Sequence, residues 1–370
     1  MTLWIIISWT VMAFLWASVF YLANKMPRLF DFMANYGELV RFLIGIGLVL
    51  ILGIVLSLFF NFVNAVVCII YLGFVWAFSD FIFWIIQKAF HLSFDYYYSG
   101  WIAVILTLIT FVIGWYLNNN VWQINYHLKT NKNVAPLKIA MFADAHLGTT
   151  FDSKGFEKHI AKIQAQNPDL LAIVGDFVDD ETKKAEMIKA CKILGDFKSK
   201  YGVFFVFGNH DKGYRNYRHF TGEDLIQELT KNNVKVLFDD VILLNKDFYL
   251  IGRKDYSEIK EERSVTGRLS MNELTKDLDK NKYIIVLDHQ PTDYKNQAAS
   301  EVDLVLSGHT HGGQLFPFNK VGKWIKANDA IYGLEHRNKT DFIVTSGISS
   351  WAIKFKTGTK SEYVIIDIEK

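Results

Sequence analysis

An α/β domain preceded by about four membrane-spanning helices is the architecture the sequence predicts, on three observations. The composition splits near residue 118. Four apolar runs of membrane length precede that point. Beyond residue 137, short β-branched and aromatic runs alternate with charged helical segments. Up to residue 118 the only basic residues are Lys25, Arg28, Arg41 and Lys88, and the only acidic ones Asp31, Glu38, Asp80 and Asp95, in a chain of 370 residues that is 51% hydrophobic.

A bilayer core of about 30 Å takes roughly 20 apolar residues of helix. Residues 3–23 form one such run, without the basic start of a cleaved signal peptide. The next apolar stretch, 39–87, is too long for a single crossing at about 1.5 Å per residue. It reads as two helices, 39–60 and 63–87, with the turn at Asn61–Asn64. The fourth run is 101–117. Trp and Tyr gather near the run ends, among them Tyr96, Trp101, Trp115 and Tyr116, as in an interfacial belt. Buried charge of the kind a transporter needs is confined to Asp80 and Arg41, so an anchor is the plainer reading. Lys25, Arg28, Arg41 and Lys88 in two loops outnumber Lys129, Lys132 and Lys138 after the fourth helix by one. By the positive-inside rule this puts the C-terminal domain outside the cytoplasm, and one helix more or fewer reverses the assignment.

Residues 119–136 are polar and Asn-rich and read as a linker to a domain spanning 137–370. Strands are expected at 137–143, 170–174, 203–207, 241–244, 248–252, 283–287, 304–306, 342–345 and 363–368. Helices are expected near 153–166, 181–198, 223–231 and 272–280. A net charge of +2 gives no pull toward nucleic acid, and no nucleic-acid partner is expected. The two cysteines, Cys68 and Cys191, make neither a metal motif nor a disulfide framework.

Chemistry concentrates where the strands end. Asp144-Ala145-His146 follows the first, Gly175-Asp176-Phe177-Val178-Asp179 the second and Gly208-Asn209-His210-Asp211 the third. Asp288-His289 and Ser307-Gly308-His309-Thr310-His311 follow two later ones. Sites in α/β sheets lie at the carboxyl ends of strands. Each piece alone is ordinary turn chemistry, but five of the ten histidines fall at these ends. The other five, His91, His127, His159, His219 and His336, have no such setting and read as ordinary surface, interfacial or satisfied histidines.

In this order the blocks resemble the five motifs of the calcineurin-like metallophosphoesterase superfamily. The run Gly308-His309-Thr310-His311-Gly312-Gly313-Gln314 resembles its bacterial branch of membrane-associated phosphodiesterases and UDP-2,3-diacylglucosamine hydrolases. The resemblance implies two mixed β-sheets sandwiched between helices. It implies a hydrolase acting on a phosphoester or pyrophosphate bond, in which two divalent ions activate water against a phosphoryl group. By the same resemblance Asp144, His146, Asp176 and His311 hold one metal. Asp176, Asn209, His289 and His309 hold the other, and His210, oriented by Asp179, serves the leaving oxygen. Oxygen and imidazole donors without thiolates suit Mn, Fe or Zn. The implied partners are a phosphorylated small-molecule or lipid substrate and the membrane lipids. Where the branch carries an Arg near its end, this chain has Ser346-Gly347-Ile348-Ser349-Ser350-Trp351 followed by Lys354, and Lys354 lacks the bidentate fork of an arginine. Two other readings stay open: a catalytically silent metal-binding scaffold in the membrane, and a nuclease, although acidic and basic residues are nearly balanced. The stretch 212–282 is long enough to add a lid. Its Tyr214, Arg215, Tyr217, Arg218 and Phe220 suit contact with a membrane surface, which fits an amphiphilic substrate.

Overall fold

A computed structural model describes residues 2–213, 218–257 and 267–370. The chain divides into two compact units, 1–114 with 352–354, and 115–351 with 355–370.

The first unit is helical: α1 (Thr2–Lys25), α2 (Glu38–Phe59), α3 (Phe62–Phe90) and α4 (Tyr98–Asn119). All four are long and apolar enough to cross a membrane. Asn61 separates α2 from α3: its Oδ1 accepts the Asn64 N–H at 2.9 Å as an N-cap. Asp80 is wholly engaged. It accepts from Tyr21 (2.6 Å), Tyr97 (2.8 Å) and Ser99 (2.6 Å) and pairs with Lys25 at 2.8 Å. A charge so surrounded joins α1, α3 and the start of α4.

The second unit has two six-stranded mixed sheets. The first is ordered β1 (Val121–Lys129), β12 (Ser361–Glu369), β2 (Leu137–Phe142), β3 (Leu170–Val174), β4 (Val203–Val206), β5 (Val234–Leu237). The second runs β10 (Gly333–Arg337), β11 (Thr340–Val344), β9 (Leu304–Ser307), β8 (Tyr283–Leu287), β7 (Phe248–Gly252), β6 (Asp240–Leu243). Alternation along each strand decides the layers. Ile139 and Met141 of β2 join Val206, Leu250, Ile285 and Leu306 in the core between the sheets. Ala140 and Phe142 face the other way, onto Phe156 and Ile160 of α5 (Ser153–Gln164), Met187 of α6 (Lys184–Gly195) and Leu225 of α7 (Gly222–Lys231). Ile284 and Val286 likewise meet Met271 and Leu274 of α8 (Met271–Thr275) and Tyr294 and Ala298 of α9 (Tyr294–Ala299). Central strands buried on both faces read as unbroken apolar runs, which is why they were visible in the sequence.

The expected linker differs. Residues 121–129 form β1, parallel to β12 from Val121↔Ser361 to Lys129↔Glu369. Trp122, Ile124, Tyr126 and Leu128 alternate with Gln123, Asn125 and His127 in a period of two. An edge strand keeps a polar face, and that face made the segment look like connection. Lys132 beyond it is pinned as well, to Asp303 at 2.6 Å. Strands β5 and β10 were also unforeseen. Both are short edge strands with partly exposed patterns.

Candidate metal centre

The loops that leave β2, β3, β4, β8 and β9 carry the motif side chains, so both sheets contribute to one edge. The turns are sharp. Asp144, His146, Asp176, His309 and His311 all have positive φ, between 36° and 70°. Left-handed backbone costs a non-glycine residue on the order of 1–3 kcal/mol, and such strain collects at functional sites. Two glycines make room for the turns. A Cβ on Gly175 would stand 2.6 Å from His289 Cγ, and one on Gly208 would stand 2.5 Å from the Asp176 amide nitrogen.

Two groups of donors result. Asp144, His146 and His311 can each bring one ligand atom within 4.8 Å of the others, and so can Asp176, His289 and His309. Asp176 lies between the groups: its Oδ2 is 3.2 Å from His289 Nε2 and 3.7 Å from His146 Nε2. His311 Nε2 is 3.8 Å from Asp144 Oδ1. The far sides of two of the rings meet backbone carbonyls, and that of the third faces a carboxylate. His289 Nδ1 meets the Val174 carbonyl at 2.8 Å, His311 Nδ1 the Ser349 carbonyl at 3.3 Å, and His146 Nδ1 stands 3.4 Å from Asp179. This arrangement leaves each Nε2 as the inward atom, the usual state of a metal-binding imidazole.

Three observations test whether a cation fits. Both ring nitrogens of His146, His289 Nε2 and Asn209 Oδ1 are buried without a hydrogen-bond partner among the described residues, polar atoms that a bound cation would satisfy. Burial pushes down the pKa of both His309, to about 4, and His311, with neighbouring imidazole charge adding to it. Both are therefore neutral at neutral pH, as ligation requires. Burial works against the charges of Asp176 and His289, yet their mutual attraction outweighs it: Asp176 is held well below the carboxylate range and His289 well above the histidine range. A cation binding at His289 would take the place of that proton. The residues fit.

The remaining residues have distinct places. His210 is at the rim, its backbone N–H donating to Asp176 Oδ1 at 2.8 Å and its ring 5.1 Å from that of His146. Asp179 was expected to orient His210. The structure sets its carboxylate, on the turn after β3, against His146 and the Glu181 N–H (2.9 Å). Its charge still reaches His210.

Sequence reasoning left several participants unassigned. Asp211 accepts four backbone amides, those of Asp176, Phe177, Val178 and Gly208, at 2.7–3.1 Å. Asp288 is buried between Arg253, at 3.3 Å, and Arg268, and so fixes the residue before His289. Trp351 lays its ring 5.3 Å from His210. Lys354 is exposed and falls within the helical unit. The buried cation of that stretch is Lys356, whose Nζ donates to the Ser346 carbonyl at 2.8 Å. Buried lysines are uncommon enough to be overlooked in a sequence.

The anticipated surface aromatics also differ. Tyr214, Arg215 and Tyr217 lie outside the described residues. Arg218 and Phe220 are buried. Arg218 donates to the carbonyls of Phe220 (3.1 Å) and Asp211 (2.5 Å) and stacks on Phe220, its guanidinium carbon 4.4 Å from the ring centre. Its donors serve the His210–Asp211 turn instead of a membrane.

A family model described as calcineurin-like phosphoesterase matches residues 137–313. An uncharacterized metallophosphoesterase of Campylobacter jejuni is 34% identical over 239 residues, 63% of this chain and 59% of that protein. One from Aquifex aeolicus is 33% identical over 196 residues, 52% of this chain and 70% of that protein. A transmembrane protein with metallophosphoesterase domain from Bos taurus is 28% identical over 232 residues, 61% of this chain and 51% of that protein. The matches to the Campylobacter protein and to two Helicobacter pylori relatives span 58–59% of those proteins' lengths. With its motif turns, its two mixed sheets and these relatives, the chain belongs to the calcineurin-like phosphoesterase family.

Proposed function

We propose that this chain is a membrane-anchored phosphoesterase that hydrolyses a phosphoester or pyrophosphate bond, and that its substrate is an amphiphile met at the membrane surface. The observation that carries the reading is the pair of adjacent donor groups, Asp144, His146 and His311 beside Asp176, His289 and His309, with Asp176 Oδ2 3.7 Å from His146 Nε2. In it, Asp144, His146, Asp176 and His311 would hold one divalent ion, and Asp176, Asn209, His289 and His309 the other. Two such ions polarise a phosphoryl group and make water nucleophilic at neutral pH.

The side chains supply the rest. Asp176 keeps its negative charge under strong local attraction, and that charge would offset part of the charge of bound cations. Backbone carbonyls on His289 and His311 hold those rings in one orientation, so little reorganisation accompanies charge development. His210 donates a proton to the leaving oxygen. Burial lowers its pKa, and an anionic phosphoryl group alongside acts in the opposite direction and favours the imidazolium. The four helices support anchoring, and a tether of several spans keeps the site near lipid headgroups.

The test is hydrolysis by the purified full chain, with Mn²⁺, of a monoester, a diester and a pyrophosphate. Turnover of at least one, abolished by chelation and restored by metal, is expected. Full turnover by metal-stripped chain in chelator overturns the reading.

A further inference from the structure

Exposed apolar side chains of the second unit are not spread evenly. Phe316 (59% exposed), Phe318 (46%), Trp324 (70%) and Ile325 (44%) fall within ten residues. Lys320, Lys323 and Lys326 are interleaved with them and are also exposed. No acidic residue occurs between Asp303 and Asp329. Among the described residues, the one ion pair these lysines make is with Glu335, 3.7 Å from Lys323.

The loop is rooted in the metal centre. It starts directly after His309 and His311, and the Thr310 hydroxyl donates to the Ile331 carbonyl at 2.6 Å where the loop returns. The Gln314 carbonyl accepts the N–H groups of Thr357 (2.9 Å) and Gly358 (3.0 Å), and the Phe316 N–H donates to the Thr357 hydroxyl at 3.0 Å. Its base is thus held by hydrogen bonds while its rings face outward. Water is a poor environment for such rings, and a large exposed apolar patch marks an interaction surface. Aromatic rings alternating with lysines and free of acids match the headgroup layer of an anionic bilayer, where rings sit at interfacial depth and lysines meet lipid phosphates.

We propose that the loop 315–326 is a membrane-interface contact that seats the rim of the metal centre on anionic lipid. This rests on the reading of a substrate presented at the membrane surface and names the surface that meets that membrane.

The test uses the full chain in nanodiscs of phosphatidylcholine and phosphatidylglycerol, with Cys68 and Cys191, both buried, replaced by alanine. A nitroxide is attached at Trp324→Cys, and for reference at Thr230→Cys on the exposed side of α7. Collision rates with oxygen and with a water-soluble nickel chelate are measured. At position 324 oxygen collisions should rise and nickel collisions fall severalfold relative to 230. The joint substitution of Lys320, Lys323 and Lys326 by glutamine should reverse much of that difference. Equal nickel access at 324 and 230 overturns the proposal. Shielding from both reagents also overturns it, because protein then covers the loop. Hydrolysis of soluble bis(4-nitrophenyl) phosphate by the same samples separates the two readings. An active chain with a water-exposed position 324 loses only the interface proposal, and an interfacial position 324 on a chain without metal-dependent turnover loses only the phosphoesterase reading.

Discussion

Asp211 joins two of the turns that carry the proposed metal-binding side chains, and Asp211→Asn measures how far backbone preorganisation holds the centre. Its wholly buried carboxylate accepts the amides of Phe177 (2.8 Å) and Val178 (3.1 Å) on Oδ1 and those of Asp176 (2.8 Å) and Gly208 (2.7 Å) on Oδ2. Burial, with the Asp176 charge beside it, pushes its pKa up to about 7, and the amides pull the other way. Asparagine has the same shape but a single acceptor oxygen, so its NH₂ confronts one pair of amide N–H groups. Two hydrogen bonds to a charged acceptor are lost, at roughly 1.5–3 kcal/mol each, or about 3–6 kcal/mol together. Domain stability is only about 5–15 kcal/mol. At roughly 2–4 °C per kcal/mol for a unit of this size, Tm should fall by about 6–24 °C. Calorimetry of the full chain, with elemental analysis of bound metal, reads both consequences. The Asp176 and Gly208 turns should separate, and metal per chain should drop with Tm. A variant that melts with the wild type and carries as much metal would refute the preorganisation argument.

Three further outcomes are expected. His210→Gln should lower kcat by roughly 10²–10⁴ with bound metal unchanged, and the loss should shrink for a nitrophenol leaving group; equal loss on good and poor leaving groups would assign His210 to positioning. Asp176→Asn should cost more metal than any other single ligand substitution, because that carboxylate lies 3.2 Å from His289 of one donor group and 3.7 Å from His146 of the other; elemental analysis showing one ion fully retained would break the proposed bridging. Burial pushes the Lys356 pKa down to about 7, below its unfolded value of about 10.4, so the unfolded chain binds the extra proton between these values and stability should rise with pH across that window by roughly 1.4 kcal/mol per unit. Lys356→Met should flatten this rise in melting profiles between about pH 7.5 and 9.5, and an unchanged slope would show that Lys356 is not its source.

The sequence by itself determined the strand ends that carry chemistry, because a central strand buried on both faces is an uninterrupted apolar run and the residues after it stand out. It likewise determined the four helices, since a membrane-length apolar run has few other uses. Its limits lay in edges and in partners. Strand β1 hid behind its polar face until the β12 pairing identified it. Arg218 and Phe220 looked like surface groups, yet the Asp211 carbonyl, close in sequence but turned inward by the fold, gave the guanidinium a buried acceptor. Asp179 lay next to the right motif, but only the path of the turn decided that it faces His146. The depth of Lys356 and the outward rings of Phe316, Phe318 and Trp324 depend on residues far apart in the chain. Local sequence records propensity and periodicity. Which polar atoms lose water, and what replaces it, is settled by contacts the tertiary structure alone brings together.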